Sequence, residues 1–322
     1  MQLEKMRKER IHLRMPASLD TKRTPFDFAH LKRDHVATQC VCCGSEKLQS
    51  SPAILMPFLA HRIFGWTPVA IDESWGLRTI QSGHAYSICK SLYCTECGFL
   101  FLDLRFSSTE LKNLYDDYRG EAYTDLRELY EPGYKLKNSK LKGGIEYVAE
   151  IEQFLKPLLS EPIRVLDWGG DTGQNTPFQK QAECLDIYDI SGRPVIEGAR
   201  RVDKEEIAAR DYSLIVCSNV LEHVPYPSDL LFDIRKVLRE DAILYIEIPL
   251  EEVIRNHADQ LPFQKKHWHE HINFYSEKSL TRLVETVGME VVAVKTLQTE
   301  VAGAPACLLQ LACRLRKEGE TA

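Results

Sequence analysis

The sequence predicts an α/β fold built on a doubly wound, mostly parallel β-sheet, and three observations support this prediction. Residues 163–168 are mostly apolar, have the length of a buried strand, and run directly into a glycine-rich turn. Residues 212–218 are continuously apolar in their middle, which is typical of a strand that is covered on both faces. Strand-like and helix-like segments then alternate toward the C-terminus.

The remaining elements follow from the same patterns in chain order. Apolar residues recur at helical spacing from Ile145 to Leu158 and predict a helix that packs on the sheet. Helix-compatible residues also follow the glycine turn from about Pro177. Ser276 and Gly288 are suited to begin and end the last helix. The predicted strands cover residues 163–168, 184–190, 199–203, 212–218, 242–248, 289–294 and 306–314, and a further helix covers 228–239.

Composition limits the class of protein. The chain has 322 residues, of which 44% are hydrophobic and 27% charged, as is ordinary for a soluble globular protein. Its length suits one large domain with a smaller one, or two domains. A net charge of −6 gives no general attraction to nucleic acid or to anionic membranes. No apolar run approaches the roughly 20 residues of a membrane helix, and the N-terminus lacks the apolar core of a secretory signal.

Cysteine spacing predicts a structural zinc site. Two C-x-x-C-G motifs are present, one at Cys40 and Cys43 and the other at Cys94 and Cys97. Each motif can point two thiolates at one ion, and together they supply the tetrahedral four-sulfur set of structural zinc. Ten cysteines without an export signal also favour a reducing cytoplasm over disulfides. A reduced, metal-free cluster is the alternative. Two further thiols could substitute as ligands, Cys42 and Cys89.

These patterns divide the chain into four expected segments. Residues 1–39 form a locally basic tail with little periodicity. Residues 40–105 form a small zinc-binding lobe with a folded insert between the cysteine pairs. Residues 106–144 form a helical linker or lid that opens with a Ser-x-x-Glu capping motif and is rich in tyrosine. Residues 145–322 form the sheet domain.

The glycine turn has the spacing of a cofactor-binding loop. Gly169, Gly170 and Gly173 follow Asp167, and the stretch resembles the D-x-G-x-G-x-G loop of class I S-adenosylmethionine (SAM) methyltransferases. Asp171 stands where that pattern has its middle glycine, and aspartate tolerates a left-handed backbone better than most residues. The resemblance implies a Rossmann-like sheet of seven strands that binds SAM.

Further residues are expected to contact SAM. Asp189 ends the second predicted strand, where an acid can accept hydrogen bonds from both ribose hydroxyls; a turn-capping role is the alternative. Residues 217–225 resemble the family segment that passes the methionine part of SAM, which implicates Ser218 and Asn219. The full expected set is Asp167, Gly169, Gly170, Thr172, Gly173, Asp189, Ile190, Ser218 and Asn219.

A third motif narrows the resemblance. Residues 270–276 read Glu-His-Ile-Asn-Phe-Tyr-Ser, and residues 114–118 read Leu-Tyr-Asp-Asp-Tyr. With the cysteine pairs, this order of motifs over residues 40–315 resembles the zinc-containing methyltransferases of sugar nucleotides. Two departures weaken the assignment to sugar C-methyltransferases. Their tyrosine one residue before Glu-His is Trp268 here, and the short stretch after the last predicted strand leaves no expected counterpart of their C-terminal domain.

His271 is the expected general base. An unperturbed histidine has a pKa near 6.5 and can accept a proton at cytoplasmic pH. Glu270 can orient His271 or share its role, and His223 is the third expected catalytic residue. A structural histidine that closes the pocket through a hydrogen bond is the alternative for His271.

Metal binding by these residues is a further alternative. Glu222 and His223 form a Glu-His pair, which can be structural, can face the substrate or can hold a metal ion as in some relatives, but the sequence offers no further ligand. His267, His269 and His271 alternate along an extended segment, and three such histidines can bind a catalytic metal.

The sequence therefore predicts a SAM-dependent methyltransferase with structural zinc. The resemblance implies a sugar nucleotide or related carbohydrate intermediate as substrate, in polysaccharide or secondary-metabolite biosynthesis, and a cytoplasmic location. The expected partner is a small molecule, and neither a membrane nor nucleic acid is expected. Alternatives are an O-methyltransferase for another small molecule and an inactive SAM-binding zinc module, which only Asp171 favours. Neither the acceptor atom nor the oligomeric state follows from the sequence.

Overall fold

The structure is a computed structural model that describes residues 35–66, 87–141, 143–256 and 261–316. Most of the predicted basic tail and part of the insert between the cysteine pairs lie outside these residues. Within the described ranges, we find no helix that is long and apolar enough to cross a membrane.

The described residues form two sheets and a series of short helices. The strands are β1 (Leu48–Leu55), β2 (Cys89–Cys94), β3 (Leu100–Leu102), β4 (Arg164–Trp168), β5 (Cys184–Tyr188), β6 (Arg200–Arg201), β7 (Leu214–Ser218), β8 (Ile243–Pro249), β9 (His267–Trp268), β10 (Asn273–Phe274), β11 (Met289–Val301) and β12 (Ala304–Leu315). The helices are α1 (Pro57–Phe64), α2 (Ser108–Tyr115), α3 (Glu121–Tyr130), α4 (Tyr134–Leu141), α5 (Val148–Leu155), α6 (Lys204–Ala208), α7 (Pro227–Val237), α8 (Glu252–Asn256), α9 (Leu261–Gln264) and α10 (Glu277–Thr286).

The larger sheet has seven strands in the order β11-β12-β8-β7-β4-β5-β6. Strands β4 to β8 are parallel to one another, and β12 lies antiparallel between β8 and β11. Strands β5 and β6 lie on one side of β4, and strands β7 and β8 lie on the other. This reversal of strand order creates a topological switch point between β4 and β7. The predicted α/β fold, with a seven-stranded sheet and a smaller N-terminal lobe, is confirmed.

The smaller sheet belongs to the N-terminal lobe but takes two strands from the end of the chain. Its order is β10-β3-β2-β1-β9. His267 of β9 pairs with Ile54 in parallel, and Asn273 of β10 pairs with Phe101 in antiparallel register. The segment that carries the predicted His271 motif therefore forms both outer strands of the lobe, so the lobe and the sheet domain are folded together.

A continuous apolar core joins the two sheets. One cluster of buried residues contains Cys94, Phe99 and Phe101 of the lobe together with Leu166 and Ile246 of the larger sheet. Burial of apolar surface is the main driving force for packing. The lobe is thus part of the same hydrophobic core and is not a separate appendage.

Local capping signals in the sequence are matched by the structure. Ser107 and Glu110 form both halves of the predicted capping box at the start of α2. Ser276 caps α10 through the amide of Ser279, and Gly288 follows the helix with a positive φ of 81°. Side-chain oxygens at these positions satisfy amides that have no partner within the helix.

One element expected from the sequence is absent. The helix predicted from about Pro177 is wrong, because residues 177–181 form turns. Phe178 has a φ of 61°, which lies outside the right-handed helical region, and its amide donates to Glu152 Oε1 at 2.7 Å. The glycine turn is therefore followed by further turns and not by a helix.

Arg105 is a buried charge that connects the lobe to the sheet domain. It is 2% exposed, and Nη1 donates to the carbonyl of Pro225 at 3.0 Å and to Asn273 Oδ1 at 2.8 Å. Nη2 donates to the carbonyls of Leu102 and Ile272. Burial lowers the pKa of Arg105 to about 10, so the guanidinium is still protonated at neutral pH.

We expect Arg105→Lys to lower the free energy of unfolding by about 2–4 kcal/mol, because an ammonium cannot reproduce the forked donors and leaves buried carbonyls without partners. Urea denaturation followed by circular dichroism measures this change. The control is Arg239→Lys, since Arg239 is half exposed and pairs with Asp211 on the surface. If the two variants unfold at the same urea concentration, Arg105 does not stabilise the junction between the lobe and the sheet domain.

Candidate active site

The glycine turn after β4 lies at the carboxyl edge of the sheet, beside the switch point. Gly169 and Gly173 have φ values of 88° and 82°. A Cβ added to Gly169 would lie 2.4 Å from Val220 Cγ2, and one added to Gly173 would lie 2.9 Å from Ile187 Cδ1. Both positions therefore require glycine for their conformation and for their space.

Asp171, which stands in place of the pattern's middle glycine, adopts a left-handed conformation with a φ of 52°. Its amide donates to Asp189 Oδ2 at 2.9 Å, and its carboxylate pairs with Arg193 Nη1 at 2.6 Å. Asp189 Oδ1 also accepts the amide of Ser191 at 2.7 Å. The departure from the glycine pattern thus leaves the turn formed, and the predicted ribose-binding acid lies directly against it.

Asp167 supports the turn from below. It is 5% exposed and accepts a hydrogen bond from Thr176 Oγ1 at 2.5 Å, and burial raises its pKa to about 7. A Cβ on Gly170 would lie 2.5 Å from Asp167 Cγ, so Gly170 makes room for this carboxyl group. The carbonyl oxygen of Thr172 accepts a hydrogen bond from the amide of Ile196 at 2.9 Å. Ile190, which follows Asp189 in the chain, is 68% exposed.

Glu247 of β8 organises the next strand end, and the sequence reasoning overlooked it. Its Oε1 accepts hydrogen bonds from Ser218 Oγ at 2.9 Å and from Asn219 Nδ2 at 3.1 Å. The side chain is fully buried, and three more residues donate to it: Tyr147, Tyr245 and Gln310. An acid between Ile246 and Ile248 in a buried strand is the signal that could have revealed it. The network fixes both residues that were expected to face the methionine part of SAM.

Glu222, His223 and His271 come together at the same edge, and we call them the Glu–His cluster. Glu222 and His223 follow β7, whereas His271 follows β9. His223 Nε2 lies 3.9 Å from Glu222 Oε1, and the two imidazole rings are 4.8 Å apart between centroids. Two motifs that are well separated in the sequence therefore build one group.

Hydrogen bonds orient both histidines of the cluster. His223 Nδ1 lies 3.1 Å from the carbonyl oxygen of Glu270, which can only accept, so Nδ1 carries the proton and Nε2 has a free lone pair. His271 Nδ1 contacts Glu251 Oε1 at 2.9 Å. Burial lowers the pKa of His223 to about 3. Burial acts in the same direction on His271, but the hydrogen bond to Glu251 and the charge of Glu222 outweigh it and raise the His271 pKa.

The carboxylate of Glu270 belongs to a different set of contacts. It forms an ion pair with Arg127 of α3 and accepts a hydrogen bond from Tyr123 at 3.2 Å. Although burial opposes ionisation, Arg127 holds the pKa of Glu270 below its usual value. Glu270 therefore anchors α3 through its side chain and orients His223 through its backbone.

Several buried polar atoms of the cluster and of residues 115–119 have no hydrogen-bond partner. They are Glu222 Oε1, Glu222 Oε2, Tyr115 OH and Arg119 Nε. The Tyr115 ring lies 6.0 Å from the His223 ring and 5.4 Å from that of Tyr118. An unpartnered buried polar atom costs about 1–3 kcal/mol, so their convergence indicates a place for polar groups of a ligand.

The neighbouring histidines have other partners. His269 Nε2 pairs with Glu131 Oε1 at 2.5 Å, and the exposed His267 lies in β9 at the edge of the lobe. Within the described ranges, neither belongs to a group of potential metal ligands with His271. Trp268 is fully buried and its indole donates to Ser91 Oγ at 2.8 Å, so the tryptophan packs inside the lobe.

The four motif cysteines form a compact cluster. Cys40 Sγ is 3.7 Å from Cys97 Sγ, and Cys43 Sγ is 3.7 Å from Cys94 Sγ. Four sulfurs bound to one zinc ion at about 2.3 Å lie about 3.8 Å apart in a tetrahedron. The two other thiols donate to backbone carbonyls instead: Cys42 to Ser279 and Cys89 to Ala53. The cluster thus has the ligand type and spacing of a structural zinc site.

Comparison with protein families agrees with this architecture. Residues 142–294 match the family model that is described as a methyltransferase domain. This segment of the chain is therefore similar to a methyltransferase domain. The match covers the glycine turn, the strand ends and the Glu–His cluster, and the prediction of a SAM-dependent methyltransferase is confirmed.

Solved structures to which the chain is similar include methyltransferases. One is the 1,6-didemethyltoxoflavin N1-methyltransferase of Burkholderia thailandensis with S-adenosylhomocysteine bound, whose sequence is 15% identical to this one. The alignment has a TM-score of 0.45 and covers 73% of this chain and 99% of that chain. The magnesium protoporphyrin IX methyltransferase of Synechocystis, also with S-adenosylhomocysteine, is 13% identical, with a TM-score of 0.40 and coverage of 65% and 100%. A comparison with curated proteins gives no match.

We expect Asp189→Ala to weaken SAM binding by about 1–3 kcal/mol, through the loss of charge-assisted hydrogen bonds and of support for the turn. Equilibrium dialysis with radiolabelled SAM measures the affinity. Asp203→Ala serves as the control, because Asp203 caps α6 instead of contacting the turn. Unchanged affinity of the Asp189 variant would show that the carboxylate does not serve the cofactor.

Proposed function

We propose that this protein transfers the methyl group of SAM to a small polar acceptor, and that the acceptor is a sugar nucleotide or a related carbohydrate intermediate. The observation that carries the proposal is the convergence of unpartnered buried polar atoms and two histidines at the carboxyl edge of the sheet. Such edges are where open α/β sheets bind their ligands.

The residues around the glycine turn fit SAM. The turn allows close approach because Gly169 and Gly173 lack a Cβ, Asp189 offers acceptor oxygens for the ribose, and the Glu247 network holds Ser218 and Asn219. SAM supplies a methyl group on a sulfonium, which is already a good leaving group. The protein's task is to align the acceptor and exclude water.

The acceptor side fits a molecule with hydroxyls and a negative charge. Tyr115 OH and Glu222 can bond hydroxyl groups, and Tyr115 and Tyr118 offer aromatic faces to a sugar ring. Arg119 has a free Nε, and guanidinium groups bind phosphates well. These contacts support a sugar nucleotide over an apolar acceptor.

Transfer also requires that the acceptor lose a proton. The S–CH3 bond breaks as the methyl bond to the acceptor forms, and the acceptor's proton leaves in the same or a preceding step. We assign the promotion of this proton loss to the Glu–His cluster, with His271 as its key member, since Glu251 holds the ring in one orientation.

If the cluster has this role, His271→Ala should reduce turnover by roughly 10²–10⁴-fold with little change in SAM affinity. A screen of nucleotide sugars for SAM-dependent methyl transfer, with the methylated atom identified by NMR, supplies the assay. His269→Ala is the matched control, because His269 contacts Glu131 outside the cluster. Wild-type turnover by the His271 variant would contradict its role in proton loss. If no nucleotide sugar accepts a methyl group, the proposed substrate class is wrong.

We further propose that the cysteine cluster binds one structural zinc ion. The cluster shares its core with the larger sheet, because Cys40 and Cys94 are fully buried among the residues that join the two sheets. Zinc binding would therefore stabilise the packing of the lobe.

Accordingly, Cys97→Ser should abolish stoichiometric zinc and lower the thermal midpoint more than it changes SAM affinity. Metal analysis and differential scanning calorimetry provide the two readouts. Cys42→Ser is the control, because Cys42 is equally buried but bonds a carbonyl. Zinc-free wild-type protein, purified without chelator, would be the contrary result.

A further inference from the structure

We propose that Glu222, His223 and His271 form a second metal site that binds one divalent transition-metal ion on the acceptor side of the sheet. One potential ligand atom from each residue lies within 4.8 Å of the other two. Ligand atoms about 2.1 Å from an ion lie about 3–4 Å apart, and His223 Nε2 is 3.9 Å from Glu222 Oε1. Small side-chain movements would bring the three into one coordination sphere.

The hydrogen bonds around the histidines are those that metal-binding histidines use. A ligating imidazole commonly donates its second nitrogen to a carbonyl or carboxylate, which fixes the tautomer and the ring orientation. His223 Nδ1 donates to the carbonyl of Glu270, and His271 Nδ1 contacts the carboxylate of Glu251. In both residues Nε2 then remains to bind an ion.

Glu222 supplies an independent observation. It is 2% exposed, and neither carboxylate oxygen has a hydrogen-bond partner. The neighbouring acids have partners: the buried Glu270 pairs with Arg127, and the partly exposed Glu251 pairs with His271. A divalent cation would supply the partner that Glu222 lacks, whereas an unpartnered buried carboxylate is unfavourable.

The backbone holds the ligands in place without an ion. The carbonyl of Glu222 accepts the amides of Ile272 at 2.8 Å and Asn273 at 3.1 Å. These two bonds join the segment that carries Glu222 and His223 to the segment that carries His271. The site is therefore preorganised, which reduces the entropy that ion binding must overcome.

Two imidazoles and one carboxylate are a ligand set for ions such as Zn²⁺, Fe²⁺ or Co²⁺, and three protein ligands leave positions open for another oxygen. For its role, the inference rests on the proposed function: an acceptor oxygen would bind the ion and lose its proton more easily, with His271 as a ligand. The binding itself can be tested without any substrate.

The test uses full-length protein with its cysteine cluster filled by zinc, dialysed against EDTA and then titrated with Co²⁺. Equilibrium dialysis with elemental analysis gives the bound cobalt, and visible absorption distinguishes nitrogen and oxygen ligands from thiolates. We expect one Co²⁺ per chain, with no thiolate charge-transfer band. Glu222→Gln and His271→Gln should each weaken binding by about 100-fold or more, and Glu251→Gln by about 10-fold.

His269→Gln is the matched control and should bind Co²⁺ like the wild type. Circular dichroism and SAM binding verify that each variant is folded, and His223→Gln replaces any variant that fails this check. Absence of cobalt binding, equal affinity in the ligand variants, or a thiolate band would overturn the inference. If cobalt does not bind while His271→Ala still loses turnover, the proposed function stands and only the metal site fails.

Discussion

The structure depends on the hydrogen bonds that anchor the segment containing β9 and β10 to the turn after β7. Asn273 is the centre of this anchor: Nδ2 donates to the carbonyls of Leu221 and Val224, and Oδ1 accepts from Arg105. The hydroxyl of Tyr275 also donates to the carbonyl of Leu221. Because this segment supplies both outer strands of the smaller sheet, the same contacts join the lobe to the sheet domain and place His271 beside His223.

Buried carboxylates show how the site is built around this anchor. Glu247 is satisfied by five donors and holds Ser218 and Asn219 at the end of β7, whereas Glu270 is neutralised by Arg127 and holds α3. Glu222 differs from both, and burial raises its pKa to about 7. The one acid of these three without a partner lies beside two oriented histidines, so the chemistry is expected there.

Much of the sheet domain could be predicted from the sequence because its signals are local. Apolar runs in the sequence predict β4, β7 and β8. The spacing of the glycines predicts the turn after β4, where a Cβ on Gly169 or Gly173 would collide with Val220 or Ile187. The pairing of β9 and β10 with the lobe could not be predicted, because it joins residues far apart in the chain. The helix expected from Pro177 failed for a related reason, since Phe178 has a φ of 61°, which a right-handed helix does not allow, and its amide donates to the distant Glu152. The residues of the Glu–His cluster were visible as motifs, but Glu251, the partner that orients His271, became apparent only in the fold.

The account's central claim is that the turn after β4 and the ends of β5 and β7 form a working SAM site despite Asp171. Isothermal titration calorimetry of the folded wild-type protein with SAM tests this claim most directly. The account predicts one binding event per chain, with S-adenosylhomocysteine competing for the same site. A folded protein that gives no heat of binding with either molecule would contradict it.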